Sequence, residues 1–407
     1  MNNKKNEINI MYKNKEYTLC EYMYGVLEME HNNPLCCVSE ANNSFSIDYW
    51  KGCSYQCAYC HVQGIYEDLD SDYRMYKAPI PRSKFSIKEI IDALVKHPYF
   101  EKDVSVISIA TSSTEPFASP KVTESTLEIM EYFVSIGYKN PFWIVTKAGV
   151  PDGIINRLKK ICKNGNKIMI SFCYAGNPKN IEPMQNDRFK NIELLKDTGV
   201  TTSWYLRPLV KEWGANLSHL REMFEIVSKN YGEYIDMIVP GGLRWTEGIE
   251  FGMHVQRGQE MPNLIKEYDK KTLSNKIEDD IICLCEKYFP NIPVYFNSSC
   301  AISHMLKKNN IALLNILKHE ICTKSKCYNP SKSMCSKCSF SKNELDKIEM
   351  ALKREGIDIK IKDISLKNGI LTIPKLETFN YTVKQEIKKT IAETIKTFDG
   401  GQWRITI

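Results

Sequence analysis

Three cysteines, Cys53, Cys57 and Cys60, stand within eight positions in the stretch WKGCSYQCAYCHV. Thiolates bind soft metals, and a 4Fe-4S cluster normally takes four of them. The C-x3-C-x2-C loop supplies three, and no fourth cysteine follows closely. A cluster held by three thiolates keeps one iron open, and an open iron can take a substrate or a cofactor. Zinc competes for the same thiols but usually wants four ligands, and His61 directly after Cys60 has poor geometry to be the fourth. A disulfide and three unligated core thiols are the remaining readings.

A second group, Cys322, Cys327, Cys335 and Cys338, has the spacing C-x4-C-x7-C-x2-C with Lys, Ser, Asn and Pro between the thiols. Such polar spacers cannot form a packed core. They form loops that let thiolates converge, and the lysines offset the charge of a multi-thiolate site. A closed 4Fe-4S cluster and a structural zinc both satisfy this pattern, with Cys300 in reserve as a substitute ligand. Cys283 and Cys285, two apart on a helical run, point to different faces and read as structural.

These groups need a scaffold. From residue 44 short β-branched and aromatic runs alternate with longer helix-period runs, the pattern of a parallel sheet or barrel with helices outside. Strands are expected at 44–50, 104–111, 142–146, 167–174, 201–210 and 234–240, and helices at 86–97, 122–137, 151–163, 187–199 and 217–229. Gly137 and Gly199 close two of the helices. Six such units are fewer than the eight of a full barrel, so the fold class is α/β, a partial (β/α)6 TIM-type barrel with its site at the C-terminal strand ends. The first cysteine loop leaves the first strand, and Gly52 allows the sharp turn.

The expected domains are an N-terminal extension (1–43), the partial barrel (44–250), a cysteine-rich metal or cluster region (251–340) and a small α+β unit (341–407). That last unit has two strands about Lys367-Asn368-Gly369 and carries 13 Lys/Arg against 10 Asp/Glu. Net charge is +6 over 407 residues with both signs interspersed, compatible with a nucleic acid or an anionic small molecule without demanding either. No run approaches the ~18–20 consecutive apolar residues of a membrane span, and the polar start lacks a signal-peptide core, so a cytoplasmic location is expected.

The loop Cys53-Ser-Tyr-Gln-Cys57-Ala-Tyr59-Cys60 resembles the C-x3-C-x-aromatic-C signature of the radical S-adenosylmethionine (radical SAM) superfamily. The segments TSSTEPF, IVTKAG and SFCYAGNPKNIEPMQNDRFKNIELLKDTGV are similar to those of spore photoproduct lyase-like members, over about residues 44–210. His61-Val62 and Glu115 depart from that pattern, which more often has Tyr-Ala and Asp. The resemblance implies a partial (β/α)6 barrel and a 4Fe-4S cluster on Cys53, Cys57 and Cys60 whose open iron binds S-adenosylmethionine. It implies reductive cleavage of that cofactor to a 5′-deoxyadenosyl radical that abstracts hydrogen from substrate, with an electron donor such as flavodoxin or ferredoxin.

Carried across by position, Tyr59 would approach the adenine, and Ser112, Thr114 and Glu115 would receive the methionine amino group. Thr146, Lys147, Ser171 and Arg188 would meet the ribose or carboxylate, since an arginine suits a carboxylate and a carboxylate an ammonium. Cys173, ending the fourth strand, would return a hydrogen atom to a product radical; its other reading is a small buried hydrophobe. The second cysteine group becomes an auxiliary 4Fe-4S cluster, with zinc as the alternative. A nucleic acid or nucleotide is the favoured substrate and a peptide or small metabolite the alternative. A non-catalytic iron-sulfur or zinc protein binding nucleic acid through residues 341–407 is the reading from another class.

Overall fold

The computed structural model describes residues 5–12, 15–22, 32–41, 44–60, 73–76, 78–97, 100, 102–111, 113–184, 186–244, 246–257 and 273–307, and beyond them 349, 353, 356, 365–367 and 370–372. An antiparallel hairpin of β1 (Lys5–Tyr12) and β2 (Lys15–Tyr22) comes first. β3 (Val38–Ala41) and β4 (Ser44–Ile47) form a second antiparallel pair. The run expected as one strand over 44–50 breaks at Asp48, whose N–H bonds Cys37 O at 2.8 Å and whose carboxylate accepts from Ser46 Oγ. The chain then turns into β5 (Trp50–Lys51) and the cysteine loop.

β6 (Tyr73–Tyr76) adds in parallel to β2, and β7 (Ile80–Pro81) pairs with β5. The alternating units follow: α1 (Ile87–Leu94), β8 (Ile107–Ile109), α2 (Pro120–Ser135), β9 (Phe142–Thr146), α3 (Ile155–Lys163), β10 (Ile168–Cys173), β11 (Val200–Tyr205), α4 (Leu217–Tyr231) and β12 (Met237–Ile238). α5 (Glu247–Arg257), α6 (Asn275–Tyr288) and α7 (Ser298–Leu306) come next, and β13 (Ser365–Lys367) pairs antiparallel with β14 (Ile370–Thr372). Helix starts have local causes: Ser86 and Glu89 form a reciprocal capping box on α1, and Ser119, Asn216 and Ser274 cap α2, α4 and α6.

The main sheet has the order β12-β11-β10-β9-β8-β4-β3. β4 and β8 to β12 lie parallel in chain order, and antiparallel β3 forms the far edge, so the sheet is an open one. Ile47, Ile109, Ile144 and Ile170 are in register across four strands, which brings the segments after them to one C-terminal rim.

Alternation along the strands divides the two faces. Phe45, Ile107, Phe142, Ile168, Phe172 and Trp204 pack in one core with Ile91, Leu127, Phe133, Leu158, Phe224 and Leu284 of the helices. The other face carries Ser46, Ser108, Ser171 and Ser203, all buried, with Trp143 and Tyr205. α7 seats Cys300, Ile302 and Met305 against Val106, Met169, Met237 and Val239.

One expected helix is absent. Residues 187–199 form turns and a single 3-10 segment, Ile192–Leu195. Buried Phe189, Ile192 and Leu195 recur every third residue, the 3-10 period, and Asn191 and Asp197 adopt φ of 63° and 61°, outside any right-handed helix. Beyond β12 one parallel bridge joins Val294 to Ile238.

Candidate active site

The cysteine loop lies on the C-terminal rim. Gly52, at φ 95°, donates its N–H to Ser113 O just past β8, and Ala58 N–H bonds Ile181 O past β10. Cys53 and Cys57 are buried and Cys60 is half-buried, none of them in a disulfide, and they share an apolar cluster with Tyr55, Tyr59, Ala118 and Ala148. α5 covers the loop through Ile249 and Met253 on Ala58, and Tyr17 of β2 packs on Phe251 of the same helix at 5.0 Å. Burial and then the neighbouring Cys60 push the Cys53 thiol up, and burial pushes Cys57 up, the sign expected where desolvation disfavours a thiolate.

Among the described residues no three His, Cys, Asp or Glu side chains are gathered as ligands of a single metal ion. A cubane presents a separate iron to each thiolate, so its ligands stand farther apart than those of one ion. Three thiols on one buried loop fit that donor set. Ser113 Oγ, Thr114 Oγ1 and Asn186 Oδ1 are buried nearby in the fold without a protein partner, donors and acceptors that a polar cofactor could satisfy.

Behind the loop is a buried ionic network. Lys147, just past β9, reaches Cys57 Sγ at 3.5 Å, Glu182 Oε1 at 2.6 Å and the Tyr59 hydroxyl. Glu182 also accepts from Arg188 Nη2 at 3.1 Å, Asn177 Nδ2 at 3.0 Å and the Tyr59 hydroxyl. Burial raises the Glu182 carboxyl, but Lys147 and its hydrogen bonds outweigh burial and hold it below the ordinary value. Arg188 Nη1 donates to Lys147 O at 3.0 Å, and its guanidinium carbon lies 5.6 Å from the Tyr55 ring centroid.

Glu115 is buried and binds the end of β9, accepting from Thr146 Oγ1, from Lys147 N–H at 2.8 Å and from Phe117 N–H at 3.4 Å. Burial raises its carboxyl despite those bonds. Gly149, at φ 72°, lets the loop after Lys147 press on Lys190, where an added Cβ would stand 2.6 Å from Lys190 Cβ.

Eight of the expected residues, Tyr59, Thr114, Glu115, Thr146, Lys147, Ser171, Cys173 and Arg188, thus belong to the strand-end rim or the inner face that leads to it. Ser171 lies deeper than the rest, accepting from Trp143 Nε1 at 3.0 Å and Ser203 Oγ at 2.7 Å. Tyr59 stacks on Trp213 at 5.5 Å between centroids. Cys173 Sγ bonds Arg207 O at 3.2 Å, and burial pushes the thiol to about 11, with Lys147 opposing. Ser112 and Cys322, Cys327, Cys335 and Cys338 lie outside the described residues, as do His61 and Val62.

Glu182 was the residue that motif reading undervalued. Its signal was the Glu-Pro pair between Cys173 and Arg188, but only the fold shows it holding two cations at once. Trp213 and Arg207 carried no sequence signal.

No family profile matches the chain, and no curated protein matches it. Among solved structures it is similar to spore photoproduct lyase complexed with dinucleoside spore photoproduct, with TM-score 0.48 and 15% identity over 68% of this chain and 82% of that one. A single-residue mutant of that lyase gives TM-score 0.47 at 14% identity over the same shares.

Proposed function

We propose that the protein is a radical SAM enzyme. The observation that carries the reading is the loop of Cys53, Cys57 and Cys60, gathered in one apolar cluster on the C-terminal rim of six parallel strands and offering three thiols to a cluster that normally takes four. When bound, a reduced 4Fe-4S cluster there would supply the electron that splits S-adenosylmethionine into methionine and a 5′-deoxyadenosyl radical, which takes hydrogen from substrate.

The chain's own residues bind, orient and shield. Tyr59 on Trp213 offers an aromatic surface for an adenine. Glu115 fixes the end of β9 and so the placement of Thr146 and Lys147, and Thr114 brings a buried hydroxyl to the same rim. Lys147 and Arg188, balanced by Glu182, keep positive charge beside the thiols, where a multi-thiolate centre is anionic. Ile249 and Met253 of α5 exclude water from the loop. Cys173, on the inner face with an up-shifted thiol, holds its proton at neutral pH, as a hydrogen-atom donor requires.

The reading extends to a flavodoxin- or ferredoxin-like electron donor, a cytoplasmic location, and a second 4Fe-4S cluster on Cys322, Cys327, Cys335 and Cys338, with zinc as the alternative. A nucleic acid or nucleotide is the substrate class it favours. Anaerobically reconstituted protein, reduced with dithionite and given S-adenosylmethionine, is expected to form 5′-deoxyadenosine. No cleavage with the cluster demonstrably in place would sink the proposal. For the second centre, a Cys322→Ala/Cys327→Ala variant should fall from about eight irons per chain to about four.

A further inference from the structure

We infer that Arg207 receives an oxyanion of the substrate, so that the molecule acted on at this rim is an anion held by a phosphate or carboxylate group. The inference rests on the enzyme reading above for what happens to that molecule, but not for the binding itself.

Arg207 lies two residues past Tyr205, the last residue of β11, on the same face of the sheet. Its Nη1 donates to the Tyr205 hydroxyl at 3.2 Å and its Nη2 to Pro240 O at 3.2 Å, while Nε is buried with no acceptor. The guanidinium carbon stands 4.5 Å from the Tyr205 ring centroid. Gly241 allows this pose, because a Cβ there would stand 2.4 Å from Nε and 2.7 Å from Cζ. The fork is therefore held by an aromatic ring, a carbonyl and a close backbone, and a preorganised guanidinium loses less entropy on binding.

Its charge is unbalanced among the described residues. Lys147 and Arg188 share Glu182 as their counter-ion, whereas no carboxylate among the described residues pairs with Arg207. A half-buried cation without a counter-ion is costly, and a guanidinium carries five donors, of which two are used among the described residues. The remaining ones suit the bidentate geometry of a carboxylate or phosphate. The location is also right for substrate. Cys173 bonds the Arg207 carbonyl, and Trp143 lies 6.3 Å from Tyr205 on the inner face, so the charge stands beside the strand end that carries the candidate hydrogen donor.

The test uses the full chain, anaerobically reconstituted, with inorganic phosphate and acetate as probes against chloride at equal ionic strength. Thermal unfolding should give a saturable rise of about 2–4 °C with one of the oxyanions at about tenfold over its half-saturation. Arg207→Gln should weaken that oxyanion about tenfold and Arg207→Lys about threefold, since lysine keeps charge without the fork. S-adenosylmethionine affinity, measured separately by calorimetry, should change less than about twofold in both.

Tighter phosphate would name a phosphate-bearing substrate, and tighter acetate a carboxylate. Should Arg207→Gln fail to fold, the lysine variant carries the comparison. Equal effects of oxyanions and chloride on the native protein would overturn the inference. So would unchanged oxyanion affinity in the variants, or a loss of S-adenosylmethionine affinity equal to the oxyanion loss, which would assign Arg207 to the cofactor's own carboxylate. Oxyanion binding needs no cofactor cleavage, so a failure of the enzyme reading is seen independently in the 5′-deoxyadenosine assay.

Discussion

Replacing Glu182 by Gln keeps the size of a side chain that is 4% exposed and removes the carboxylate that, among the described residues, balances both Lys147 and Arg188. The native oxygens accept from Lys147 at 2.6 Å and Arg188 at 3.1 Å. An amide can still accept through one oxygen, but its nitrogen must face a donor. Breaking a buried ion pair by removing one partner costs about 3–5 kcal/mol, and here one removal strands two cations. The expected fall in unfolding midpoint is at least about 6 °C, since a domain of this class shifts roughly 2–4 °C per kcal/mol. A Glu182→Gln/Lys147→Met double variant should recover at least about 1 kcal/mol by removing one stranded cation.

The pH dependence has a definite sign. The native Glu182 carboxyl lies below its ordinary value of 4.5, so its contribution is complete above that pH and is lost as pH falls through the native value. The gap between native protein and Glu182→Gln should be widest near neutrality and close below pH 4.5. Thermal unfolding across pH, under anaerobic conditions, reads both effects. A single-variant loss under about 1 kcal/mol at neutral pH, or a gap that widens in acid, would refute the assignment of Glu182 as the shared counter-ion.

Cys53→Ser, Cys57→Ser and Cys60→Ser should each abolish iron retention at the first centre, read by iron and sulfide counts, while an unchanged count would remove that loop from the ligand set. Gly149→Ala forces a positive φ on alanine and a clash with Lys190 backbone, so a loss of about 2–4 kcal/mol is expected in chemical denaturation, against near neutrality at open Gly153. Ser86→Ala removes the hydroxyl that accepts from Glu89 N–H and donates to its carboxylate, keeps the reciprocal bond from the residue 86 backbone N–H, and should cost about 1 kcal/mol without altering cofactor affinity.

The strand and helix order was legible because each element has its own period. Phe142–Thr146 is a continuous β-branched and aromatic run and Ile168–Cys173 a nearly continuous apolar one, of the kind a parallel sheet buries on both faces, and α1 and α4 carry one apolar stripe each. The helix expected at 187–199 failed because three buried residues at a three-residue interval satisfy a tighter turn equally well, and tertiary contact with Gly149 chose it.

By itself the sequence determined the ligand type and the count of three at the first loop, since these are properties of residues and spacing. It could not determine charge balance. Glu182 lies 35 residues from Lys147 and only the fold brings their charges to 2.6 Å, and Arg207 looks like any arginine until the sheet leaves it on the rim with no acid beside it among the described residues. Pairing between distant charges depends on which strand ends meet, and that is decided by tertiary structure.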